Sequence, residues 1–187
     1  MIGVPIMRHN FVAEQWVPYP AELVFDFFAN PQNLPPLLPR QQKARIEEAK
    51  IVAPPPRPAL QATRQLRSVV AGAGSTITIS FKPFRFSPVR VRWEATISEF
   101  VWNDHFCDEQ VRGPFASWKH CHRFRQEIRD NMRGTLITDE IVYEMKMGPV
   151  GALAHWAFVD GQMKRTFANR QTQAARFLAV VAKVGQK

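Results

Sequence analysis

The sequence is poor in cysteine and tyrosine, with two of each among 187 residues, against fourteen phenylalanines and five tryptophans. The two cysteines, Cys107 and Cys121, are too few for the disulfide framework of a small secreted protein, and no Cys-x-x-Cys or Cys/His zinc spacing occurs. We therefore expect both to be free thiols. Because most of the aromatic surface carries no hydroxyl, it can be buried without a hydrogen-bond partner, which suits an apolar interior or pocket.

The chain also lacks a long apolar run. No stretch approaches the roughly 18 uninterrupted apolar residues that a membrane span requires. Residues 1–10 do not have the basic and then apolar layout of a signal peptide. These absences predict a cytoplasmic protein, and the length predicts a single domain over residues 1–187 with one sizeable core.

Negative charge is in deficit: 16 Asp and Glu residues against 25 Lys and Arg give a net charge of +9. Such an excess favours encounters with anionic surfaces. No zinc finger, RNA-recognition strand pattern or helix-turn-helix pattern accompanies the charge, so nucleic acid is not favoured as a partner. The sequence gives no indication of the oligomeric state.

The N-terminal third predicts a strand, two helices and another strand. Residues 9–17 form a strand that ends before Pro18, and a short helix at Ala21–Phe28 follows Pro20. A brief second helix is expected at Asn33–Leu38, where the prolines limit its length. After a strand at 44–52, the proline-rich segment 53–74 is the least regular part of the chain and is interpreted as a long loop or insertion.

From residue 75 the hydrophobic pattern has a period of two, which is typical of half-buried strands. Residues 75–82 and 89–98 alternate so that odd-numbered side chains point inward. Further strands at 105–112, 117–128 and 135–146 predict an antiparallel meander. A long amphipathic helix is expected at 152–183, with a bend at Gly161. Its apolar stripe consists of Leu153, Trp156, Val159, Met163, Phe167, Arg170, Ala174 and Phe177.

This order of elements resembles the START-like (SRPBCC, helix-grip) superfamily, in particular its polyketide cyclase/dehydrase and coenzyme-Q-binding branch. The resemblance is carried by Phe11–Leu38, with its Val-Phe pair and Asn-Pro-x-x-Leu turn, and by Phe106–Phe124, Gly134-Thr135, Asp139, Tyr143 and Phe167–Arg170. It implies an α+β helix-grip fold: a curved antiparallel sheet, two short N-terminal helices and a long C-terminal helix over an apolar cavity. It does not imply a particular reaction, since fold and activity are separable.

The residues of strands 105–112 and 117–128 predict their own register. Pairing through a turn at Gly113-Pro114-Phe115 places Cys107 opposite Cys121 on one face and Asp108 opposite His120 on the other. The face that bears Trp118 should be the inner one. His122 and, on the next strand, Asp139 share this inward face, which gives two imidazoles and two carboxylates in an apolar space.

These polar residues have several interpretations. A histidine beside a carboxylate can act as a general acid or base, so His120 and Asp108, supported by His122 and Asp139, could serve a cyclase or dehydratase. Each pair could equally be a satisfied buried contact without chemistry. Two histidines on one strand face could also bind a metal with a carboxylate, but such pairs are more often structural, and no metal or cofactor is assigned.

The function favoured by the sequence is binding or transport of a hydrophobic small molecule, such as a lipid, quinone or polyketide-like compound. The alternatives are a cyclase or dehydratase, and an interaction protein whose basic outer sheet face contacts a membrane transiently. The outward cations of that face are Lys82, Arg90, Arg92, Lys119, Arg123 and Arg125. The expected ligand-binding residues are Trp93, Gln110, Trp118, His120, His122, Asp139, Tyr143, Trp156, Val159, Met163, Phe167 and Arg170.

Overall fold

The structure is a computed structural model that describes residues 8–58, 69–145 and 159–184. These residues form seven strands and three helices, with short 3-10 turns on either side of the second helix. The strands are β1 (Arg8–Val17), β2 (Arg45–Lys50), β3 (Thr76–Phe81), β4 (Val91–Val101), β5 (His105–Arg112), β6 (Ser117–Arg129) and β7 (Met132–Glu144). The helices are α1 (Ala21–Phe28), α2 (Leu34–Leu37) and α3 (Asp160–Val184).

All seven strands belong to one antiparallel sheet in the order β1-β7-β6-β5-β4-β3-β2. Strands β2 to β7 form a meander, and β1 returns to pair with β7. The two short helices and the long helix α3 complete the α+β helix-grip architecture, which confirms the predicted fold class. Among the described residues, none of the helices combines the length and the hydropathy of a membrane-spanning segment.

Tight turns set the register of the central strands. Asp130 and Asn131 both have positive φ angles, of 49° and 60°, as a two-residue hairpin loop with matching twist requires. This turn places His122 directly opposite Asp139, which resolves the register that the sequence left open. Between β5 and β6 the predicted register is confirmed, with Asp108 opposite His120.

Two bulges bend the sheet where β4 meets β5. Val111 has no partner on β4, and Ser98 has no partner on β5, so each strand contributes one extra residue. Such bulges increase the local bend and twist of a sheet. The alternation predicted for β4 therefore changes after Ser98, and Phe100 rather than an odd-numbered residue packs against Phe25.

The solid part of the core lies under α1. Phe25 is fully buried, and its ring meets the rings of Phe106 on β5 and Phe124 on β6. Helix α3 closes this cluster with Leu178, whose exposure is 0%. The prediction that Phe177 belongs to the buried stripe is wrong: it is 37% exposed, because the helix turns its neighbour Leu178 inward.

The expectation that both cysteines are free thiols is also wrong. Cys107 and Cys121 are joined by a disulfide, with their Cα atoms 4.0 Å apart. They occupy directly opposed positions of β5 and β6, so the strand register alone brings the two sulfur atoms together. A count of cysteines does not detect this pairing. Because structural disulfides are typical of oxidising compartments, this bond does not support the cytoplasmic expectation.

The described ends of the proline-rich segment, 53–58 and 69–74, contain no helix or strand and pack closely together. The Gly72 N–H donates to the Val52 carbonyl at 2.9 Å, and a Cβ at Gly72 would lie 2.6 Å from the Pro54 Cα. Only glycine allows this approach. The segment is also held to the helical side of the molecule, since Arg57 pairs with the buried Asp26 of α1.

Candidate functional site

A cavity of about 370 Å³ lies between the concave face of the sheet and the three helices. Odd-numbered residues of β3 and of the first half of β4 form one wall, as the period-two pattern predicts. Val89, which precedes β4, is exposed and does not belong to that wall. The wall residues from these two strands are Ile77, Ile79, Phe81, Val91, Trp93, Ala95 and Ile97.

Aromatic rings form one end of the cavity. Trp93 meets Trp118 edge to face at a centroid distance of 4.8 Å, and Phe115 lies 4.9 Å from Trp118. Phe81 extends the group at 6.2 Å from Trp93. These rings present flat apolar surface, and aromatic pairs of this geometry stabilise both the wall and a bound ring.

Polar side chains gather on the sheet side of the cavity. Asp108, His120 and His122 all line it, on the neighbouring strands β5 and β6. Asp108 Oδ1 lies 3.7 Å from His120 Nδ1 and 3.8 Å from His122 Nε2. The two imidazole rings lie against each other, with centroids 3.9 Å apart. One nitrogen of each histidine and one oxygen of Asp108 lie within 4.8 Å of one another, a donor set that could hold a metal ion.

A second carboxylate supports both histidines from behind. Asp139 Oδ1 lies 3.0 Å from His120 Nε2 and 2.6 Å from His122 Nδ1, and its side chain is almost fully buried. Arg170 of α3 approaches the same group, with Nη2 at 3.3 Å from His122 Nδ1 and 3.9 Å from Asp139 Oδ1. Asp139 therefore orients both rings and partly compensates the buried guanidinium.

The electrostatic environment differs between the two carboxylates. Burial raises the pKa of Asp108, and the attraction of His120 and Arg170 only partly offsets this effect. Burial also acts to raise the pKa of Asp139, but Arg170 and the histidine contacts outweigh it and hold that pKa well below its usual range. For His122, burial and the nearby His120 lower the pKa to about 3. His122 is therefore neutral at physiological pH.

The structure places most predicted ligand-binding residues at the cavity. Those that line it are Trp93, Trp118, His120, His122, Val159, Met163, Phe167 and Arg170. Asp108, predicted as part of the alternative catalytic pair, lines it as well. Residues 146–158, among them Leu153 and Trp156 of the predicted stripe, lie outside the described residues, so a bend of the predicted helix at Gly161 is not tested.

Three predicted residues do not line the cavity. The Gln110 amide turns into the β5–β6 connection, where Nε2 donates to the Phe115 carbonyl at 3.0 Å. Tyr143 is only 2% exposed, because Phe115 and Trp118 pack over its ring. Asp139 lies beneath the two histidines. Tyr143 and Asp139 are covered by neighbouring side chains, whereas Gln110 misses the cavity because its own amide bonds to the connecting loop.

Some lining residues were not singled out from the sequence. Helix α3 adds Gln162 and Thr166 beside Met163, and α1 adds Phe28. Arg170 lies over the ring of Phe28 at 5.2 Å, so α1 contributes to the polar end as well as to the core. The helical period could have identified Thr166, which lies three and four residues from Met163 and Arg170. The same period places Gln162 three residues after Val159.

The outer face of the sheet has its own charge pairing. Lys119 lies 2.5 Å from Glu99 and 3.4 Å from Glu109, and Arg123 lies 2.8 Å from Glu140. Arg90 donates to Ser80 Oγ at 2.9 Å. The carboxylate contacts of Lys119 and Arg123 resemble an ordinary solvated sheet face and reduce the positive charge available to a membrane.

Comparison with known proteins gave matches by structure alone: no protein-family model and no curated protein sequence matches the chain. The protein TTHA0849 from Thermus thermophilus is 17% identical, with a TM-score of 0.59 over 92% of this chain and 98% of that one. Norcoclaurine synthase from Thalictrum flavum is 12% identical, with a TM-score of 0.61 over 93% and 88%.

A point mutant of the same synthase in complex with a transition-state analogue is 13% identical, with a TM-score of 0.57 over 94% of this chain and 97% of that one. At such identities the likeness concerns the fold, not the reaction. Together with the sheet order and the long closing helix, these matches show that the chain has a helix-grip fold.

Proposed function

We propose that the protein binds a hydrophobic small molecule in the cavity under α3. The observation that carries this proposal is the cavity itself: about 370 Å³ of mostly apolar space with a compact polar cluster on one side. Small-molecule sites typically have about 300–1,000 Å³ and a few orienting polar groups. The fold also serves as a small-molecule site in a neighbour, since one norcoclaurine synthase structure is a complex with a transition-state analogue.

The lining indicates the kind of ligand. The volume is near the lower end of that range, so a compact ring compound or a single chain fits better than a lipid with two acyl chains. Trp93, Phe115 and Trp118 offer flat surfaces for stacking at one end. Asp108 and His120 offer a hydrogen-bond donor and acceptor to one polar group of the ligand. A quinone-like or polyketide-like ring compound has this combination.

Native mass spectrometry of the gently purified protein tests the proposal, followed by titration with the fluorescent probe anilinonaphthalene sulfonate. We expect a co-purifying small molecule, or saturable binding of one probe per chain that an added naphthoquinone displaces. A protein that carries no ligand and binds neither compound would contradict the proposal.

A second candidate function, an acid–base enzyme of cyclase or dehydratase type, is favoured by one contact. His120 Nδ1 faces Asp108, which also lines the cavity, while Nε2 lies 3.0 Å from Asp139, so the imidazole is oriented as a general acid or base requires. If the protein is such an enzyme, His120→Ala should lower turnover at least about a hundredfold while ligand affinity stays within a few fold. Loss of affinity without a separate loss of turnover would support binding alone.

A further inference from the structure

Asp108, His120 and His122 form a cluster whose spacing is not that of a hydrogen-bonded network. The Asp108 oxygen lies 3.7 and 3.8 Å from the two facing ring nitrogens, beyond the roughly 3.2 Å of a good hydrogen bond. We propose that these three residues are the ligands of a divalent transition-metal ion at the wall of the cavity. This site goes beyond the binding function proposed above and does not require an organic ligand.

The distances suit metal ligation. Imidazole nitrogens and carboxylate oxygens bind Zn²⁺ at about 2.0–2.2 Å, so two neighbouring ligands of one ion lie about 3.0–3.6 Å apart. In the described structure the donor atoms are all within 4.8 Å of one another. Bringing donor atoms that are 4.8 Å apart to about 3.6 Å requires a movement of about 0.6 Å by each of the two side chains.

In each histidine, the ring nitrogen that does not face Asp108 contacts a second carboxylate, as in known metal sites. A ligating histidine normally donates its second N–H to a carboxylate, which fixes the tautomer and the ring orientation. Here one oxygen of Asp139 lies 3.0 Å from His120 Nε2 and 2.6 Å from His122 Nδ1. When both of these nitrogens donate to Asp139, the remaining lone pairs, on His120 Nδ1 and His122 Nε2, both face Asp108.

Arg170 is compatible with this arrangement. Its Nη2 lies 3.3 Å from His122 Nδ1, but the shorter carboxylate contact at 2.6 Å places the ring proton on Nδ1, so Arg170 makes no hydrogen bond there and acts through its charge on Asp139, 3.9 Å away. With neutral histidines, Asp108, Asp139 and Arg170 leave one net negative charge. A divalent cation would convert it to one positive charge, which favours an anionic oxygen as a further ligand.

The topology leaves part of the coordination sphere open. All three ligands come from the neighbouring strands β5 and β6, and all three line the cavity. Two histidines and one carboxylate with open positions are typical of catalytic zinc and of non-haem iron sites. The open positions would accept an oxygen donor from a molecule in the cavity, such as an enolate or a phenolate.

Titration of the full chain with Co²⁺, after dialysis against a chelator, tests the site by calorimetry and visible absorption. We expect one Co²⁺ per chain, with d–d absorption bands that Zn²⁺ removes by displacement. Asp108→Asn should weaken Co²⁺ binding at least about tenfold. This variant is chosen because the Asp108 side chain is 25% exposed and has no contact of hydrogen-bond length to either histidine in the described structure.

The matched control is Asp104→Asn, because Asp104 contacts His105 at 2.5 Å on the exposed outer side, away from the cavity. It should leave the titration unchanged. Circular dichroism shows whether each variant is folded, and Zn²⁺ should raise the melting temperature of the wild type more than that of folded Asp108→Asn. Binding of less than one tenth of an equivalent, or equal binding by wild type and Asp108→Asn, would overturn the proposal. Probe binding by the metal-free protein reports separately on the cavity.

Discussion

Cys107 and Cys121 stand opposite each other on β5 and β6, one residue away from the pair formed by Asp108 and His120, and are linked by a disulfide. The bond lies on the outer face of the sheet, directly behind the polar cluster. The strand register therefore connects the outer disulfide and the inner site by a single peptide unit on each strand.

Removing this disulfide should destabilise the protein. The bond closes a loop with a sequence separation of 14, for which the loss of chain entropy in the unfolded state is worth about 3 kcal/mol. We expect Cys107→Ala/Cys121→Ala to lower the free energy of unfolding by about that amount in urea denaturation. Reductant should destabilise the wild type and leave the double variant unchanged. If reduction does not raise the mass of the unfolded wild type by about 2 Da, no disulfide was present.

Filling the cavity should separate ligand binding from stability. Met163 is 7% exposed and lines the cavity, so Met163→Trp should occupy ligand space. We expect binding of anilinonaphthalene sulfonate to weaken at least about tenfold, while the free energy of unfolding changes by less than about 1.5 kcal/mol. Arg176→Trp, on the exposed side of α3, is the control and should bind the probe normally. Unchanged probe binding with a large loss of stability would mean that Met163 belongs to solid core.

Alkaline titration should report the burial of Tyr143. Burial, and to a lesser extent the carboxylate of Asp160, raise the pKa of Tyr143 to about 12. In the unfolded chain this phenol ionises near pH 10. Because the folded-state pKa is the higher one, the unfolded state loses its proton first, and stability should fall as pH rises above about 10.

The measurement is tyrosinate absorbance, which is simple because the chain has two tyrosines. In the wild type, the tyrosinate absorbance of Tyr143 should appear only near pH 12 or on unfolding. Tyr143→Phe should remove that late part and reduce the loss of stability at high pH. A hydroxyl at position 143 that is open to the cavity would instead titrate without unfolding.

The ion pair between Arg57 and Asp26 should anchor the proline-rich segment. Asp26 is fully buried in α1, and the Arg57 guanidinium also lies over the Trp102 ring at 4.0 Å. Arg57→Met keeps apolar contact with the ring but removes the Arg57 cation from a buried carboxylate, a change that typically costs about 3–5 kcal/mol of unfolding free energy. Arg125→Met, at an exposed pair with Glu127, should cost less than about 1 kcal/mol. Equal costs would show that Asp26 does not depend on Arg57.

Local sequence patterns predict the sheet well because the polarity and charge of the residues within each strand indicate which side chains face inward and which residues are paired. Odd and even residues of β3 and β4 separate by polarity, and opposite charges at Glu109 and Lys119 support the β5–β6 register. That register places Asp108 opposite His120 on the inner face of the sheet. These inferences need only neighbouring strands, so they do not depend on the rest of the fold.

Features that join distant segments could not be predicted in the same way. Arg57 and Asp26 are 31 residues apart, and nothing in either neighbourhood identifies the other. Arg170 lies on the predicted apolar stripe, but its approach to His122 depends on how α3 crosses the sheet. Likewise, only the packed structure shows that Gln110 turns into its own loop and that Tyr143 is covered.

The bulge at Ser98 divides β4 between two structural tasks. Before it, Trp93, Ala95 and Ile97 face the cavity; after it, Phe100 and the adjoining Trp102 pack into the solid core under α1. Substitutions in the first half can therefore change the shape of the cavity, while substitutions in the second half change the packing of the core. A lineage could change what it binds by mutating one half of a single strand and keep the other half for folding.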